Sequence, residues 1–496
     1  MATEVVGSID QGTQSTRFFL YDKNYNIVAK SQVSLTARTP HAGWVEQDAN
    51  DIIESVREAV RQTMEQAGGK YKVVSVGLTN QRETTVAWDR ETGQPLTPAI
   101  VWSDARTAQV CHAMSEKIGG QDGLRKVTGL PVSTYFSAYK LKWMVEHVPA
   151  VAEALAAGRL MAGTVDTWVI YNLTGGVKGG VYVTDVTNAS RTSLMDVAKR
   201  RWCQSTKAAF GFDNLELAEI RSNAEPYGDI VPGFGLDGVP IAGCLGDQQA
   251  AVLGQRCAPG EAKNTYGTGC FMLMNTGEEA VPSSHGLLTT MAYQLGPDQP
   301  AHYALEGAIA DPAESEALAA SVPSTGGVYL VPAFGGLLAP WWRDDARGVV
   351  VGLTQYSTKA HLVRAMLEAI AFQTLDVLAA MKADSGRKLE RLAVDGGATR
   401  NDLLMQIQAD LIQTSVVRPA NQETTSLGAA IAAGVGVGFW NAQEVFKKDA
   451  ADDAGSSVFE PKISAQAADK RHAKWKLAVQ RALALDELAD DSDEEV

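Results

Sequence analysis

Residues 5–22 read VVGSIDQGTQSTRFFLYD. Two apolar runs flank a polar turn, and this pattern predicts a strand, a turn and a second strand. In the turn, Gly12 can adopt a positive φ, while Thr13 and Ser15 offer hydroxyl and backbone N–H donors to a phosphate. Asp10 ends the first run, where a carboxylate can bind the Mg²⁺ that neutralises such a phosphate. Taken alone, the stretch also fits an ordinary β-hairpin with a polar tip.

The second half of the chain repeats this pattern. Residues 263–275, KNTYGTGCFMLMN, again read as a strand, a turn at Gly267 and Thr268, and a strand. The two turns lie about half a chain length apart, which is the spacing expected of a duplicated domain. Two facing halves, each with a hydroxyl-bearing turn, could hold the two ends of a triphosphate across a cleft. No GxxxxGK(S/T) motif occurs, so a nucleotide would depend on such an arrangement.

Length and charge restrict the class of protein. A chain of 496 residues has room for roughly two to four domains. Asp and Glu (58) outnumber Lys and Arg (44), and the net charge of −14 argues against nucleic acid or an anionic membrane as the main partner. A small-molecule partner fits better.

Residues 486–496 carry seven acids and no base, so we expect a solvated, disordered tail there.

The cysteines indicate a reducing compartment. The five cysteines are odd in number, widely spaced and without a CxxC pair, so neither a disulfide framework nor a zinc site is predicted. The N-terminus lacks a basic region followed by an apolar one, and no run approaches the roughly 20 apolar residues of a membrane span. We therefore expect a soluble, cytoplasmic protein without membrane insertion.

Two further predicted strands end in residues that can do chemistry. Residues 73–78 lead to Arg82 and Glu83. Such neighbours are usually a solvated surface pair, but ligand groups gather at the ends of strands that are buried on both faces. Residues 240–244 lead to Asp247 and an Ala-rich helix, so Asp247 is either a general base or only a helix cap.

Other segments predict the surrounding framework. An amphipathic helix is expected over residues 50–66, and residues 426–440 predict a small-residue helix that permits close packing. A strand at 392–394 leads into Gly396-Gly397, where the backbone can approach a ribose or a flat ring, unless this is a plain strand-to-helix turn. Residues 233–238 match the dinucleotide pattern GxGxxG, but the required strand and helix around it are absent from the sequence pattern.

Six short motifs together resemble the glycerol kinases, which belong to the carbohydrate-kinase family. Each motif alone is weak, but six in the same order are specific, and the resemblance runs from residue 5 to about residue 440. The motifs are Asp10–Thr13, Thr79–Thr84, Gly163–Trp168, Thr187–Thr192, Gly246–Ala250 and Asn264–Phe271.

The resemblance implies an α/β fold of two duplicated ribonuclease-H-like (actin-like ATPase) domains with an inter-domain cleft. We expect an N-terminal domain at 1–253 with the polyol site and a phosphate turn. A C-terminal domain at 254–485 would carry the nucleotide site, and the acidic tail at 486–496 would follow. Members of the family are commonly homodimers or homotetramers, so the resemblance implies a homo-oligomer.

The resemblance also implies a reaction and its residues. ATP would phosphorylate glycerol to sn-glycerol 3-phosphate, with Asp247 as the catalytic general base and Asp10 helping to bind Mg²⁺. The implied glycerol-binding residues are Arg82, Glu83, Trp102, Tyr135, Asp247, Gln248 and Phe271. The implied ATP-binding residues are Thr13, Gln14, Ser15, Arg17, Thr268, Gly397 and Asn401.

The chain departs from the family pattern after Ala308. There the family has a helix whose Gly and Gln contact the sugar and base of the nucleotide, and neither residue has a counterpart here. Pro312 would interrupt such a helix, so we expect it to be missing and the nucleoside end of the ATP site to depart from the family pattern. Gln14 also stands where the family usually has Thr or Ser. Two alternatives follow: a kinase for a larger sugar or polyol, or a weakly active polyol-binding regulatory relative.

Overall fold

A computed structural model describes residues 2–266, 269–310, 316–333, 336–447 and 455–485. Thr268 and the acidic tail at 486–496 lie outside these ranges, so the predictions made for them are not tested. In the described part of the chain, no helix is both long and apolar enough to cross a membrane.

The first half of the chain is a mixed α/β unit. Its strands are β1 (Thr3–Gln11), β2 (Ser15–Tyr21), β3 (Ile27–Ser34), β4 (Glu46–Gln47), β5 (Tyr71–Asn80), β6 (Thr85–Asp89), β7 (Ala99–Ile100), β8 (Leu160–Thr164), β9 (Val183–Asp185), β10 (Met195–Asp196), β11 (Arg201–Trp202), β12 (Glu219–Arg221), β13 (Gly228–Asp229) and β14 (Pro240–Gly246). Its α-helices are α1 (Ala49–Ala67), α2 (Ala108–Ile118), α3 (Arg125–Thr128), α4 (Ser137–His147), α5 (Pro149–Ala156), α6 (Val165–Leu173), α7 (Val186–Ala189), α8 (Gln204–Phe210) and α9 (Asp247–Gly254).

The second half is built from the same kinds of element. Its strands are β15 (Ala262–Tyr266), β16 (Gly269–Gly277), β17 (Leu288–Gln294), β18 (Ala301–Ala310), β19 (Tyr329–Val331), β20 (Val349–Val351), β21 (Arg391–Asp395), β22 (Ser415–Arg418) and β23 (Ser457–Phe459). Its α-helices are α10 (Glu316–Ala320), α11 (Lys359–Ser385), α12 (Asp402–Ile412), α13 (Thr424–Gly436), α14 (Ala442–Val445) and α15 (Ala465–Arg481). Short 3₁₀ turns occupy Gly176–Lys178 and Gly397–Arg400.

The two central sheets share one topology. The first contains the order β14-β5-β1-β2-β3, with β1, β2 and β3 antiparallel and β5 and β14 parallel to β1. The second contains β22-β21-β15-β16-β18 in the same directions. The strand pair β1–β2 and the strand pair β15–β16 therefore occupy equivalent positions in the two sheets. The predicted duplicated α/β fold is confirmed.

Helix α1 shows why the local sequence pattern succeeds. The Asp48 side chain accepts a hydrogen bond from the backbone of Asn50 and caps the first turn, while Gly68 ends the helix at a φ of 58°. Apolar residues at helical spacing, among them Ile52 and Val56, are fully buried in the core. The helix predicted over 50–66 is confirmed with bounds shifted by one residue.

Helix α13 joins the two halves. Although it follows the second sheet in sequence, it packs on β5 and β14 of the first sheet and on α9. The approach requires glycine: a Cβ at Gly77 would lie 2.0 Å from the Ala429 carbonyl oxygen, and one at Gly428 would lie 1.8 Å from that of Ala250. Backbone-to-backbone contact of this kind fixes how the halves face each other, as the small-residue pattern predicts.

The segment after Ala308 is only partly described. After β18 the described chain continues with the five-residue helix α10, which packs on α11 and α12 and contains neither Gly nor Gln, so the absence of the family's nucleotide-contacting helix stays a prediction. The Glu316 carboxylate in α10 accepts a hydrogen bond of 3.1 Å from the backbone N–H of Leu403. Pro312 lies outside the described residues. The excluded GxGxxG match at 233–238 forms a loop between β13 and β14, as expected.

Candidate active site

A cavity of about 280 Å³ lies where the two halves meet. Its wall includes all seven predicted glycerol-binding residues, four of the predicted ATP-binding residues and Asp10. The lining residues are Asp10, Gly12, Thr13, Gln14, Ser15, Arg17, Gln32, Arg82, Glu83, Trp102, Tyr135, Asp247, Gln248, Thr265, Phe271 and Thr425. The turn of residues 12–15 therefore opens onto the same space as Arg82 and Asp247.

Parallel strands bring these side chains together. Asp10 lies near the carboxyl end of β1, Arg82 follows the end of β5, and Asp247 follows the end of β14. These three strands are neighbours in the sheet, so their carboxyl ends meet at one edge. Glu83 adopts a φ of 59°, which is unusual for a non-glycine residue and turns the chain toward β6.

Asp247 lies at the start of α9 and reaches the cavity. It is the first residue of α9, and its Oδ1 accepts a hydrogen bond of 2.7 Å from the backbone N–H of Gln248. The same Oδ1 lies 3.3 Å from Arg82 Nε, and the side chain keeps 28% of its surface exposed. Asp247 thus contributes to the start of the helix and also reaches the cavity.

The electrostatic surroundings make Asp247 more basic than an ordinary aspartate. Burial raises its pKa to about 6, with Glu83 and Asp10 adding to the rise, while Arg82 and Lys263 oppose it. At neutral pH the carboxylate is therefore ionised yet basic enough to accept a proton.

A buried network of charges surrounds Arg82. Its two terminal nitrogens donate to both carboxylate oxygens of Glu306, over 2.9 and 2.7 Å, and also contact Gln249 Oε1 and Tyr135 Oη at 3.2 and 3.3 Å. Arg191 Nε donates to Glu83 over 2.6 Å, and Arg191 Nη1 lies 3.0 Å from Glu306. Arg82 therefore has a fixed orientation at the cavity wall.

Aromatic rings form one side of the cavity. Trp102 meets Tyr135 and Phe271 edge to face, with ring centroids 5.8 and 5.7 Å apart. The Arg82 guanidinium carbon lies 5.7 Å from the centroid of the Phe271 ring. The cavity thus combines an apolar wall with hydrogen-bonding groups, an arrangement that suits a small molecule with both carbon and hydroxyl groups.

Two buried lysines support the wall. Lys263 Nζ donates to Gln248 Oε1, to Thr265 Oγ1 over 2.7 Å and to the Phe271 carbonyl over 3.3 Å. Lys140 Nζ donates to the carbonyls of residues 134 and 135 over 2.7 and 2.6 Å. Burial lowers the pKa of each ammonium group to about 8.

Positively and negatively charged side chains lie together near the turn that follows Asp10. Arg17 forms ion pairs with Asp10 and, over 2.6 Å, with Glu423. Burial raises the pKa of Asp10 above its usual value, although the Arg17 charge opposes the rise. Mg²⁺ is commonly held by one or two carboxylates together with phosphate oxygens, so a single carboxylate on the wall of an open cavity fits this ion.

Two predicted ATP-binding residues lie outside this cavity lining. Gly397 starts the 3₁₀ turn after β21, where a Cβ would meet no atom within 4 Å, so its backbone faces open space. Asn401 caps α12, and its side-chain oxygen accepts a 2.8 Å hydrogen bond from Leu404 N–H. Thr265 of β15 pairs with Asp395 of β21, so the glycines at 396 and 397 follow a strand end that lies beside the end of β15.

Sequence reasoning assigns no role to Arg191, Glu306, Lys263 or Lys140. One of them stands inside a largely apolar strand: Glu306 lies between Leu305 and Gly307 in β18. A charged residue in the middle of an apolar strand is costly unless it is paired, and this is the signal that could have identified Glu306. Lys263 lies in the polar strand β15, whose sequence AKNTY gives no such signal.

Comparison with known proteins agrees with this geometry. Models of the N-terminal and C-terminal domains of the FGGY family of carbohydrate kinases match residues 5–254 and 262–437. The chain belongs to the FGGY family of carbohydrate kinases. Within it, this FGGY kinase is 49% identical to the glycerol kinase of Arabidopsis thaliana, with 98% of each chain covered. It is 48% identical to that of Brucella anthropi, with 97% of this chain and 99% of the relative covered.

Solved structures show the same fold. The structure of Plasmodium falciparum glycerol kinase with ADP superposes with a TM-score of 0.87 at 37% identity, covering 97% of this chain and 99% of that one. A gluconate kinase from Lactobacillus acidophilus gives a TM-score of 0.83 at 20% identity, with full coverage of both chains, and so shares the fold alone. The resemblance to the glycerol kinases and the actin-like, ribonuclease-H-like fold are confirmed.

Proposed function

We propose that this FGGY kinase transfers the γ-phosphoryl group of ATP to a terminal hydroxyl of glycerol, giving sn-glycerol 3-phosphate and ADP. The observation that carries the proposal is the position of Asp247, which faces the cavity that Arg82, Trp102 and the phosphate turn also line. The names of the relatives, glycerol kinases at 48–49% identity over nearly the whole chain, support the same reaction.

The polyol part of the site matches a three-carbon triol. Charged or amide groups of Arg82, Glu83 and Gln248 can donate to or accept from hydroxyls, and the rings of Trp102 and Phe271 can cover the carbon chain. A site of fixed donors and acceptors rejects an analogue that lacks one hydroxyl, because its buried polar groups are then left unpaired.

Asp247 accepts the proton of the attacking hydroxyl, and that oxygen attacks the γ-phosphorus in line with the departing ADP. Thr13, Ser15 and Arg17 hold the phosphates at the turn, and Thr268, Gly397 and Asn401 contact the rest of the nucleotide. Asp10, together with phosphate oxygens, would hold Mg²⁺, which neutralises charge on the transferred group. Positioning and charge stabilisation supply most of the rate.

The charges near Asp247 balance before the reaction. Arg82, Arg191 and Lys263 are the cations, and Glu83, Glu306 and Asp247 are the anions. When Asp247 takes up the proton, this group gains one net positive charge beside the incoming phosphoryl group. The gain favours the negatively charged transition state because the surroundings are buried.

The organisation of the protein follows from the same resemblance. The N-terminal domain spans residues 1–253 and the C-terminal domain residues 254–485, with α13 packing across the boundary. The protein works in the cytoplasm as a homodimer or homotetramer. Light scattering of the purified chain tests the oligomeric state, because a monomer would contradict it.

A coupled assay of glycerol-dependent ADP formation, with ATP titrated at saturating glycerol, tests the function. We expect ADP formation with glycerol and at least tenfold lower kcat/KM with xylulose or gluconate. Activity only with a longer sugar would instead support a kinase for a larger substrate. Glycerol binding without ADP formation would support a non-catalytic polyol-binding protein.

A further inference from the structure

Glu306 belongs to the second domain, but its carboxylate contacts Arg82, which lines the polyol site in the first domain. It lies in the middle of β18, paired in register with Leu273 of β16 and Leu288 of β17, and its side chain is completely buried. It forms ion pairs with Arg82 and Arg191, both from the first domain, while Lys263 of β15 adds a weaker attraction. The contact therefore crosses the domain boundary.

The contact controls which part of Arg82 faces Asp247. Glu306 takes hydrogen bonds from both terminal nitrogens of Arg82, and Gln249 and Tyr135 take further contacts from the same atoms. Only Nε is left toward Asp247, at 3.3 Å, which is longer than a strong charge-assisted hydrogen bond. A bidentate ion pair between Arg82 and Asp247 would stabilise the ionised form of the Asp247 carboxylate and so make it a weaker base.

We infer that Glu306 is a positioning residue for phosphoryl transfer: it holds both terminal nitrogens of Arg82, so that Asp247 is left free to accept the proton of the substrate hydroxyl. The inference rests on the proposed function and assigns a role to a residue that does not line the cavity. It also means that Asp247 is free to accept the proton only when the second domain packs against the first.

Other charges around Asp247 do not replace this effect. Glu83 and Asp10 face it from the ends of β5 and β1, and Lys263 faces it from β15. Lys263 is already engaged with Gln248 and Thr265, and Glu83 is engaged with Arg191. Glu306 itself is held strongly ionised, because Arg191 and Arg82 outweigh its burial and lower its pKa to about 2.

The test compares Glu306→Gln, Glu306→Asp and the control Glu368→Gln. Glu368 is a buried glutamate of α11 with two arginine partners, Arg364 at 3.3 Å and Arg471 at 2.7 Å, and it does not line the cavity. Wild-type ADP formation is measured first, because its absence would contradict the proposed function and not this inference. Glycerol binding is measured separately by titration calorimetry.

In Glu306→Gln, Arg82 is free to pair with Asp247, so we expect the acidic limb of the kcat profile to move down by about one pH unit or more, together with a lower kcat. Glu306→Asp keeps the charge but is too short to reach both arginines. Because a terminal nitrogen of Arg82 is then free to pair with Asp247, we expect its acidic limb to move in the same direction by a smaller amount. Glu368→Gln should leave the limb unchanged.

An unmoved acidic limb in folded Glu306→Gln would overturn the inference, because loss of packing alone lowers kcat without changing that limb. If Glu306→Gln does not fold, Glu306→Asp decides: an unmoved acidic limb overturns the inference, and a lowered limb with normal thermal unfolding supports it.

Discussion

Trp102 Nε1 donates a 2.9 Å hydrogen bond to Thr13 Oγ1. This contact joins the aromatic wall of the polyol part of the cavity to the turn between β1 and β2. The same indole packs against Tyr135 and Phe271, so a single side chain connects the expected sites of the two substrates. We therefore expect the binding of one substrate to affect the binding of the other.

Trp102→Phe should weaken the binding of both substrates. The smaller ring keeps part of the wall but has no N–H, so Thr13 loses its partner and the phosphate turn is less well fixed. We expect KM for ATP to rise about three- to tenfold, with a rise in KM for glycerol as well, in steady-state kinetics. Phe271→Leu is the matched control because it keeps the Trp102–Thr13 bond. An equal rise in KM for ATP in the control would contradict the coupling.

The pH profile of kcat/KM should be bell-shaped. Asp247 must be ionised to accept a proton, so activity should fall about tenfold per pH unit below about pH 6. Lys263 must stay charged to hold Gln248, and its lowered pKa predicts a second fall above about pH 8. Initial rates in buffers of constant ionic strength check both limbs. A flat profile down to about pH 5 would contradict the role of Asp247.

Replacing Lys140 should lower stability and weaken glycerol binding through Tyr135, whereas replacing Lys142 on the same helix should not. In Lys140→Met, the carbonyls of residues 134 and 135 lose their buried donor, so we expect about 2 kcal/mol or more of lost stability and a higher KM for glycerol. Lys142→Met is the control, because in the described part of the chain the Lys142 ammonium pairs with exposed Glu146 on α4. Urea unfolding and glycerol titration should separate the two variants; similar losses in both would argue against the assignment.

Glu306 should make the protein sensitive to acid. Its pKa in the folded protein, about 2, lies below its ordinary 4.5, so its contribution is complete above pH 4.5 and is lost as the pH falls toward 2. The difference corresponds to about 3 kcal/mol of stability at neutral pH. Urea unfolding at a series of pH values should show a smaller acid-dependent loss in Glu306→Gln than in the wild type. Equal losses would show that Glu306 is not held ionised by its arginines.

Much of the fold could be predicted because its signals are local. The β1–β2 hairpin, α1 and the strands before Arg82 and Asp247 each follow from periodicity and turn residues within a short window. The duplication also left a local trace, namely the second Gly-Thr turn. These patterns do not depend on distant parts of the chain, so the structure confirms the strands and helices with small shifts of boundary, while residues 267 and 268 lie outside the described part of the chain.

The charge network could not be predicted in the same way. Glu306 meets Arg82 across 224 residues of sequence, and Arg191 meets Glu83 across 108. No local sequence pattern predicts such a pairing, because the partners come together only through the packing of α13 and the two sheets. Helix α10 was missed for another reason: five residues are too few to give a helical period, and its contacts with α11 and α12 stabilise it.

Asp247→Asn tests the central claim most directly. Asparagine keeps the shape and can still accept hydrogen bonds from Arg82 and the Gln248 backbone, but it cannot accept the proton of the substrate. We expect glycerol affinity by calorimetry to stay within about threefold of the wild type and kcat to fall by about 10²-fold or more. A folded Asp247→Asn protein that turns over glycerol at the wild-type rate would contradict the account.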